Sequence, residues 1–422
     1  VVERSTVSAI AGFVQIGSNV AFPTTKLIDN AVVEGTTYYY RVKARNGNGT
    51  PLESGYSAVK SLVFKKPNFI VSSTTITDFT SPTIGAFWAD FNNDGREDFF
   101  TSSFDGNSES SSPIIFENLG TGNFIQHIIT IENKTYFFGA AFAIDYDNDG
   151  KADIGYSIDP DASEPFVYDF YRGNGDFTFT KATSTQLGDI ATEIANTVFG
   201  SSWTDINNDG LLDLFTYSSD NGNFQLFKQE TNHSFTKISG GDLVNDNDNA
   251  TNAIWSDYDN DGYTDLLVIS PAAPSRLYQN NGDETFSLAP GVTLDANASN
   301  AAWGDYNNDG NIDLFLGATS MNVLYTNNGN GSFTEVTPSS FEASAGAFAA
   351  AIWGDYNNDG FLDLLSSGFG SNTRLFLRDA SSPSSLIFTK IITEKINDTQ
   401  DIHLGITQSD YDNDGLLDIA MG

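Results

Sequence analysis

The chain of 422 residues has no cysteine, only two methionines and only three histidines. The first absence excludes disulfides, thiolate metal sites and a cysteine nucleophile. The histidines, His127, His233 and His403, share no repeat position and no zinc-ligand spacing. No nucleophile-elbow, zinc-protease or phosphate-loop motif occurs, so no catalytic constellation is visible and the protein is not expected to be an enzyme. Basic residues are scarce: 20 Lys and Arg stand against 55 Asp and Glu, a formal charge of −35. Nucleic acid and anionic membrane surfaces, which need a positive face, are thereby excluded as partners. No apolar run reaches the roughly 18–20 residues needed to span a bilayer, and residues 345–353 come nearest. Glu3 and Arg4 interrupt any apolar signal core at the first residues, so an export signal is expected to lie upstream or to have been removed.

Charge is unevenly spread. Residues 1–66 hold eight Lys/Arg and four Asp/Glu, a net of +4, which leaves −39 for the rest. That shift marks a boundary near residue 66, with Lys65-Lys66-Pro67 as a short linker. Before it, short strands are expected at residues 1–5, 13–16, 25–28, 37–44 and 58–64, separated by Gly, Pro, Asn and Ser. The run from Gly35 to Asn46, with Tyr38, Tyr40 and Val42 on one face, resembles the penultimate strand of a fibronectin type III domain. That resemblance implies a partial β-sandwich over residues 1–66, since such sandwiches have seven strands in about 100 residues. The first two strands are expected to lie upstream of Val1.

What the remainder has in abundance is one nonapeptide. Asp305-Tyr306-Asn307-Asn308-Asp309-Gly310-Asn311-Ile312-Asp313 recurs in seven close copies, with first aspartates Asp90, Asp145, Asp205, Asp257, Asp305, Asp355 and Asp410. Spacings of 48 to 60 residues signal a repeat architecture. Two residues before the loop stands Trp88, Trp203, Trp255, Trp303 or Trp353, replaced by Ala143 and Gln408 in the second and seventh copies. That position favours packing between repeats over a sugar-binding box. After each loop come an apolar strand, a third strand such as Leu324-Tyr325, and an Asn/Gly turn into a fourth. Four short antiparallel strands repeated radially make a β-propeller, and seven loops imply seven blades. The fold is therefore expected to be all-β, with the propeller over residues 67–422. Asn68–Val71 resembles a fourth strand lent to the last blade, whose own third strand is expected beyond Gly422.

Positions 1, 3, 5 and 9 of every loop are Asp or Asn. They are Asp90, Asn92, Asp94 and Asp98; Asp145, Asp147, Asp149 and Asp153; Asp205, Asn207, Asp209 and Asp213; Asp257, Asp259, Asp261 and Asp265; Asp305, Asn307, Asp309 and Asp313; Asp355, Asn357, Asp359 and Asp363; and Asp410, Asp412, Asp414 and Asp418. Alternation at 1, 3 and 5 turns three side-chain oxygens into one concavity, and glycine at position 6 permits the positive φ that returns position 9. The position-7 carbonyls of Arg96, Lys151, Leu211, Tyr263, Asn311, Phe361 and Leu416 supply a further oxygen. A set of hard oxygens without His or Cys suits Ca²⁺ better than Mg²⁺, so up to seven Ca²⁺ ions are expected. The loops starting at Asp145, Asp257 and Asp410 carry four carboxylates and are expected to bind tightest.

Position 12 is Thr101, Tyr156, Thr216, Val268, Leu316, Ser366 or Met421 and never the glutamate of an EF-hand. The loop is similar instead to the calcium loop of the FG-GAP and VCBS repeats, the family of the integrin α-subunit propeller. This resemblance implies that each loop joins the first two strands of a blade and that all seven share one face. It also implies that ligands, protein or glycan, meet the opposite face. There the longest connections, 103–113, 158–165, 187–201 and 240–252, carry Asp105, Glu109, Asp159, Asp161, Glu164, Glu193 and Asp246 as an acidic rim. The expected function is an extracellular, calcium-stabilised adhesion or binding module of a larger secreted or surface protein, similar to large bacterial surface proteins. The rival classes are a module of a polysaccharide-degrading enzyme and a purely structural stalk or secretion cargo.

Overall fold

The computed structural model describes residues 83–421 except 104–112, 121, 130–136, 159–166, 195–199, 218–223, 247–248, 271–272, 295–297, 319–321, 337–340, 342–347, 369–370, 380–385 and 392–405. Before residue 83 it describes 2–7, 11, 13–15, 37–44, 54 and 56–63. Among these, no helix is long and apolar enough to cross a membrane.

The early residues form one antiparallel sheet in the order Val14–Gln15, Val2–Ser5, Thr37–Val42, Lys60–Val63. Tyr38 is its buried anchor. Arg41 pairs with Glu3 at 2.7 Å and lies over the rings of Phe13 and Tyr56. The strand expected at 25–28 and the one at 68–71 lie outside the described residues.

Six four-stranded sheets and one two-stranded sheet follow, each in simple sequential order. We number them as blades 1 to 7. Their first strands are Thr83–Ala89, Phe137–Ile144, Gly200–Thr204, Asn252–Ser256, Ala298–Gly304, Phe348–Gly354 and Ile406–Ser409. Each first strand lies against the next, and the seventh returns to the first, so the seven sheets close a ring. The architecture is a β-propeller, as the repeat implies. The expected third strands are present: Leu277-Tyr278, Leu324-Tyr325 and Leu375-Phe376 fall within Arg276–Asn280, Val323–Asn327 and Ser371–Arg378.

Why the second strands read as continuous apolar runs is explained by where their two faces go. Successive side chains of a strand point to opposite faces. Leu214 joins the apolar cluster shared with blade 2, while Phe215 joins the one shared with blade 4. Leu314 and Phe315, Leu364 and Leu365, and Phe99 and Phe100 divide in the same way. The core is thus seven separate clusters, one at each junction between neighbouring blades.

The tryptophans serve these junctions. Trp88 stacks on Tyr411 of blade 7 with ring centroids 5.8 Å apart, and Trp353 stacks on Tyr306 of blade 5 at 6.3 Å. Trp203 meets Phe142 of blade 2 edge-on at 4.8 Å. Where Gln408 replaces tryptophan, its amide accepts from the Tyr356 hydroxyl and donates to the Trp353 carbonyl, so a polar tie stands in for the ring.

Three single-turn helices, Ser184–Leu187, Ile190–Glu193 and Asp242–Asn245, depart from the all-strand expectation. Four residues are too few to leave a helical period in the sequence. The first is fixed by a capping box between Thr183 and Gln186. Gly188 then takes a positive φ against blade 3, where a Cβ would meet the Phe235 carbonyl at 2.4 Å.

Candidate metal centres

Each nonapeptide joins the first two strands of its blade in one repeated register. The residue before position 1 pairs with position 9: Ala89 with Asp98, Ile144 with Asp153, Thr204 with Asp213, Ser256 with Asp265, Gly304 with Asp313, Gly354 with Asp363 and Ser409 with Asp418. Inside the loop the backbone winds around the first carboxylate. Asp305 accepts from the amides of Asp309 and Gly310, both at 3.0 Å, and all seven loops repeat this pair. Position 5 accepts from the amide of position 7, as in Asn311 to Asp309 at 2.8 Å. The glycine at position 6 has φ between 83° and 94° in every copy.

Position 9 has a second task that the sequence reading missed. Asp265 Oδ2 accepts from the Tyr258 amide at 3.1 Å, and its Oδ1 from the Asn280 amide at 2.8 Å. It therefore staples the loop to the end of the third strand, and Asp98, Asp153, Asp213 and Asp363 do the same. These carboxylates are buried. Burial, with the other loop aspartates adding repulsion, pushes Asp98 up to about 6 and Asp153, Asp213 and Asp265 up to about 7. Asp313 and Asp418 rise to about 7 and Asp363 to about 8 for the same causes. Asp355, at position 1, reaches about 6, again chiefly through burial.

The structure brings the predicted carboxylate oxygens together in the four-carboxylate loops. In Asp145/Asp147/Asp153, Asp257/Asp259/Asp265 and Asp410/Asp412/Asp418, one oxygen from each residue lies within 4.8 Å of the others. Buried Oδ1 of Asp147 and Oδ2 of Asp313 and Asp418 have no hydrogen-bond partner. Oxygen-only donors, crowded, buried and partly unsatisfied, fit a hard divalent cation. Two loops also hold protein cations: Arg96 contacts Asp94 in the first, and in the second Lys151 lies 3.2 Å from Asp149 and Arg172 pairs with Asp147.

Two further sets of residues tie the loops into a ring. All seven position-4 residues are asparagines with φ between 55° and 61°. Their amides reach the next loop: Asn148 donates to the Gly210 carbonyl at 2.8 Å, Asn208 to Gly262 and Asn308 to Gly360 at 2.9 Å, and Asn358 to Gly415 at 3.1 Å. At the end of the third strand, the amides of Asn118, Gln229, Asn280 and Asn327 donate to the position-2 carbonyls of Tyr411, Tyr146, Ile206 and Tyr258 in the preceding blade. The signal for the first set was visible as an invariant asparagine within this chain. The second was masked by the Asn/Gly turn that follows it.

Of the expected acidic rim, the described members are engaged locally. Glu193 pairs with Lys237 at 2.8 Å, and Asp246 holds Arg276 and the Tyr278 hydroxyl. Asp105, Glu109, Asp159, Asp161 and Glu164 lie outside the described residues.

No curated protein sequence matches this chain. Among solved structures it is similar to an Agrocybe aegerita lectin that specifically recognises non-reducing terminal N-acetylglucosamine, with TM-score 0.51 and 15% identity over 81% of this chain and 85% of that one. A protein from Lactobacillus plantarum gives TM-score 0.47 and 13% identity over 72% of this chain and 83% of that one. The FG-GAP-like repeat family matches residues 90–156, 205–268, 257–316, 305–366 and 355–421, more than half of the chain. With its seven registered loops and closed ring of antiparallel sheets, the chain belongs to the FG-GAP-like repeat family.

Proposed function

We propose that the propeller is an extracellular binding module for a protein or glycan, with adhesion as its role and Ca²⁺ ions as structural clamps on its hairpins. The observation that carries the calcium reading is the convergence of three carboxylates in one loop, with the position-9 carboxyl pushed up to about 7 chiefly by burial and further by its loop neighbours. A divalent ion at positions 1, 3, 5 and 9, completed by the position-7 carbonyl, offsets that repulsion. When bound it supplies charge neutralisation and nothing catalytic. Sites of the roughly 10⁻⁴–10⁻³ M class fill only where Ca²⁺ is abundant, which favours a location outside the cell.

The ligand surface is assigned to the face opposite the loops, where the connections between second and third strands emerge. A glycan is one supported ligand class, because the similar lectin structure recognises a terminal sugar. A glycan array that includes terminal N-acetylglucosamine, read with and without chelator, tests binding, and soluble product release assayed in parallel tests for catalysis. Saturable binding without product release is expected. A melting temperature that ignores chelator would falsify the calcium reading, whatever the array shows.

A further inference from the structure

The second and fourth loops have the same four carboxylates but different company. In both blades the residue before the last of the third strand contacts the loop of its own blade. In blade 4 this is Gln279, whose Nε2 donates to Asp259 Oδ2 at 2.6 Å. In blade 2 it is Arg172, whose guanidinium forms an ion pair with Asp147 Oδ2 and lies 3.5 Å from Asp149 Oδ2. The strand registers are equivalent, with Arg172 opposite Thr180 and Gln279 opposite Ser287. Lys151 adds a second cation 3.2 Å from Asp149, whereas the corresponding position in the fourth loop is Tyr263.

We infer that Arg172 is an affinity-determining residue of the second loop, a tethered cation that competes with Ca²⁺ for Asp147. The inference rests on the reading of the loops as calcium sites. The neutral amide of Gln279 orients Asp259 and leaves its charge for an ion, as outer partners of metal ligands do. The guanidinium spends that charge internally and repels an incoming divalent cation at short range. Counting four carboxylates against Arg172 and Lys151, the second loop presents −2 where the fourth presents −4. Calcium affinity rises with ligand charge. The second loop is therefore weaker than the fourth, although both carry four carboxylates.

The test is calcium titration calorimetry on the whole chain after chelator stripping, for wild type, Arg172→Gln, Arg172→Lys and Gln279→Arg. Arg172→Gln is expected to tighten one site by at least about tenfold, while Arg172→Lys, which keeps the charge, leaves the isotherm near wild type. Gln279→Arg is expected to weaken one site comparably. In an Asp147→Asn background the gain from Arg172→Gln should disappear, as a double-mutant cycle requires of a direct competitor. Melting in chelator confirms that each variant folds. A wild type that binds Ca²⁺ while neither Arg172→Gln nor Gln279→Arg shifts a site overturns this inference alone. A wild type with no calcium isotherm overturns the calcium reading and the inference with it.

Discussion

At the scale of single residues, position 9 shows how one side chain serves two demands. Its carboxylate must accept two backbone amides to hold loop and strand together, and those bonds lower its pKa, yet burial outweighs them. A carboxylate whose folded pKa lies above its unfolded value of 3.8 destabilises the fold when ionised. The penalty is absent at low pH, grows as pH rises above about 4 and is complete above about 8, the highest of the raised values. Chelated protein should therefore melt several degrees higher at pH 5 than at pH 8, and saturating Ca²⁺ should abolish the trend by taking the place of the proton. A chelated melting temperature that climbs from pH 5 to pH 8 would contradict the assignment. Asn308 offers a second residue-scale experiment. Asn308→Gly loses the bond to Gly360, about 1 kcal/mol, whereas Asn308→Ala also carries a left-handed backbone at a cost of about 1–2 kcal/mol. Denaturant midpoints should order wild type, glycine, alanine; equal losses would show that φ is not what selects asparagine there.

At the scale of elements, strands and loops were legible because their rules act within one period. Positions 1, 3, 5 and 9, the glycine turn and the apolar second strand all follow local rules that the sequence itself displays. The ties from Asn308 to Gly360 and from Asn327 to Tyr258 were not legible, because they cross 52 and 69 residues of chain. A repeat aligned to itself shows which positions recur, and says nothing of which neighbouring copy they touch. The single-turn helices escaped for the opposite reason, since four residues make barely one turn and show no repeat of the helical period. Asn327→Ala tests the inter-blade amide directly. The side chain is buried, and its Nδ2 serves both the Tyr258 and Ile312 carbonyls. Truncation should cost about 1–3 kcal/mol in urea unfolding, while alanine at the neighbouring exposed Asn328 should cost far less. Similar losses at both positions would place the value of this asparagine in the turn and not between the blades.

At the scale of the whole molecule, the apolar packing among the described residues falls into seven clusters, one at each junction between blades. The junction of blades 7 and 1 uses parts found at other junctions: Asn118 donates to the Tyr411 carbonyl at 2.8 Å, Trp88 stacks on Tyr411, and Phe99, Phe116 and Phe124 pack beside them. Because the loops of blades 2 to 6 each reach the next through position 4, loss of one ion should be felt at the next. Removing a single site, for example by Asp265→Asn, should lower the melting temperature in calcium without splitting the calorimetric transition. Two resolved transitions would mean that the loops report only on their own blades.

The uniformity of these junctions has an architectural corollary. An arch stands by its keystone, and a wall by its footing, but this ring has neither. Each joint is an apolar cluster between two blades, varied in its polar ties, and the seam of blades 7 and 1 is packed in the same way as the joints within the chain. Covalent order threads the circle without organising it, and a nick between two blades would sever a link while leaving all seven joints in place.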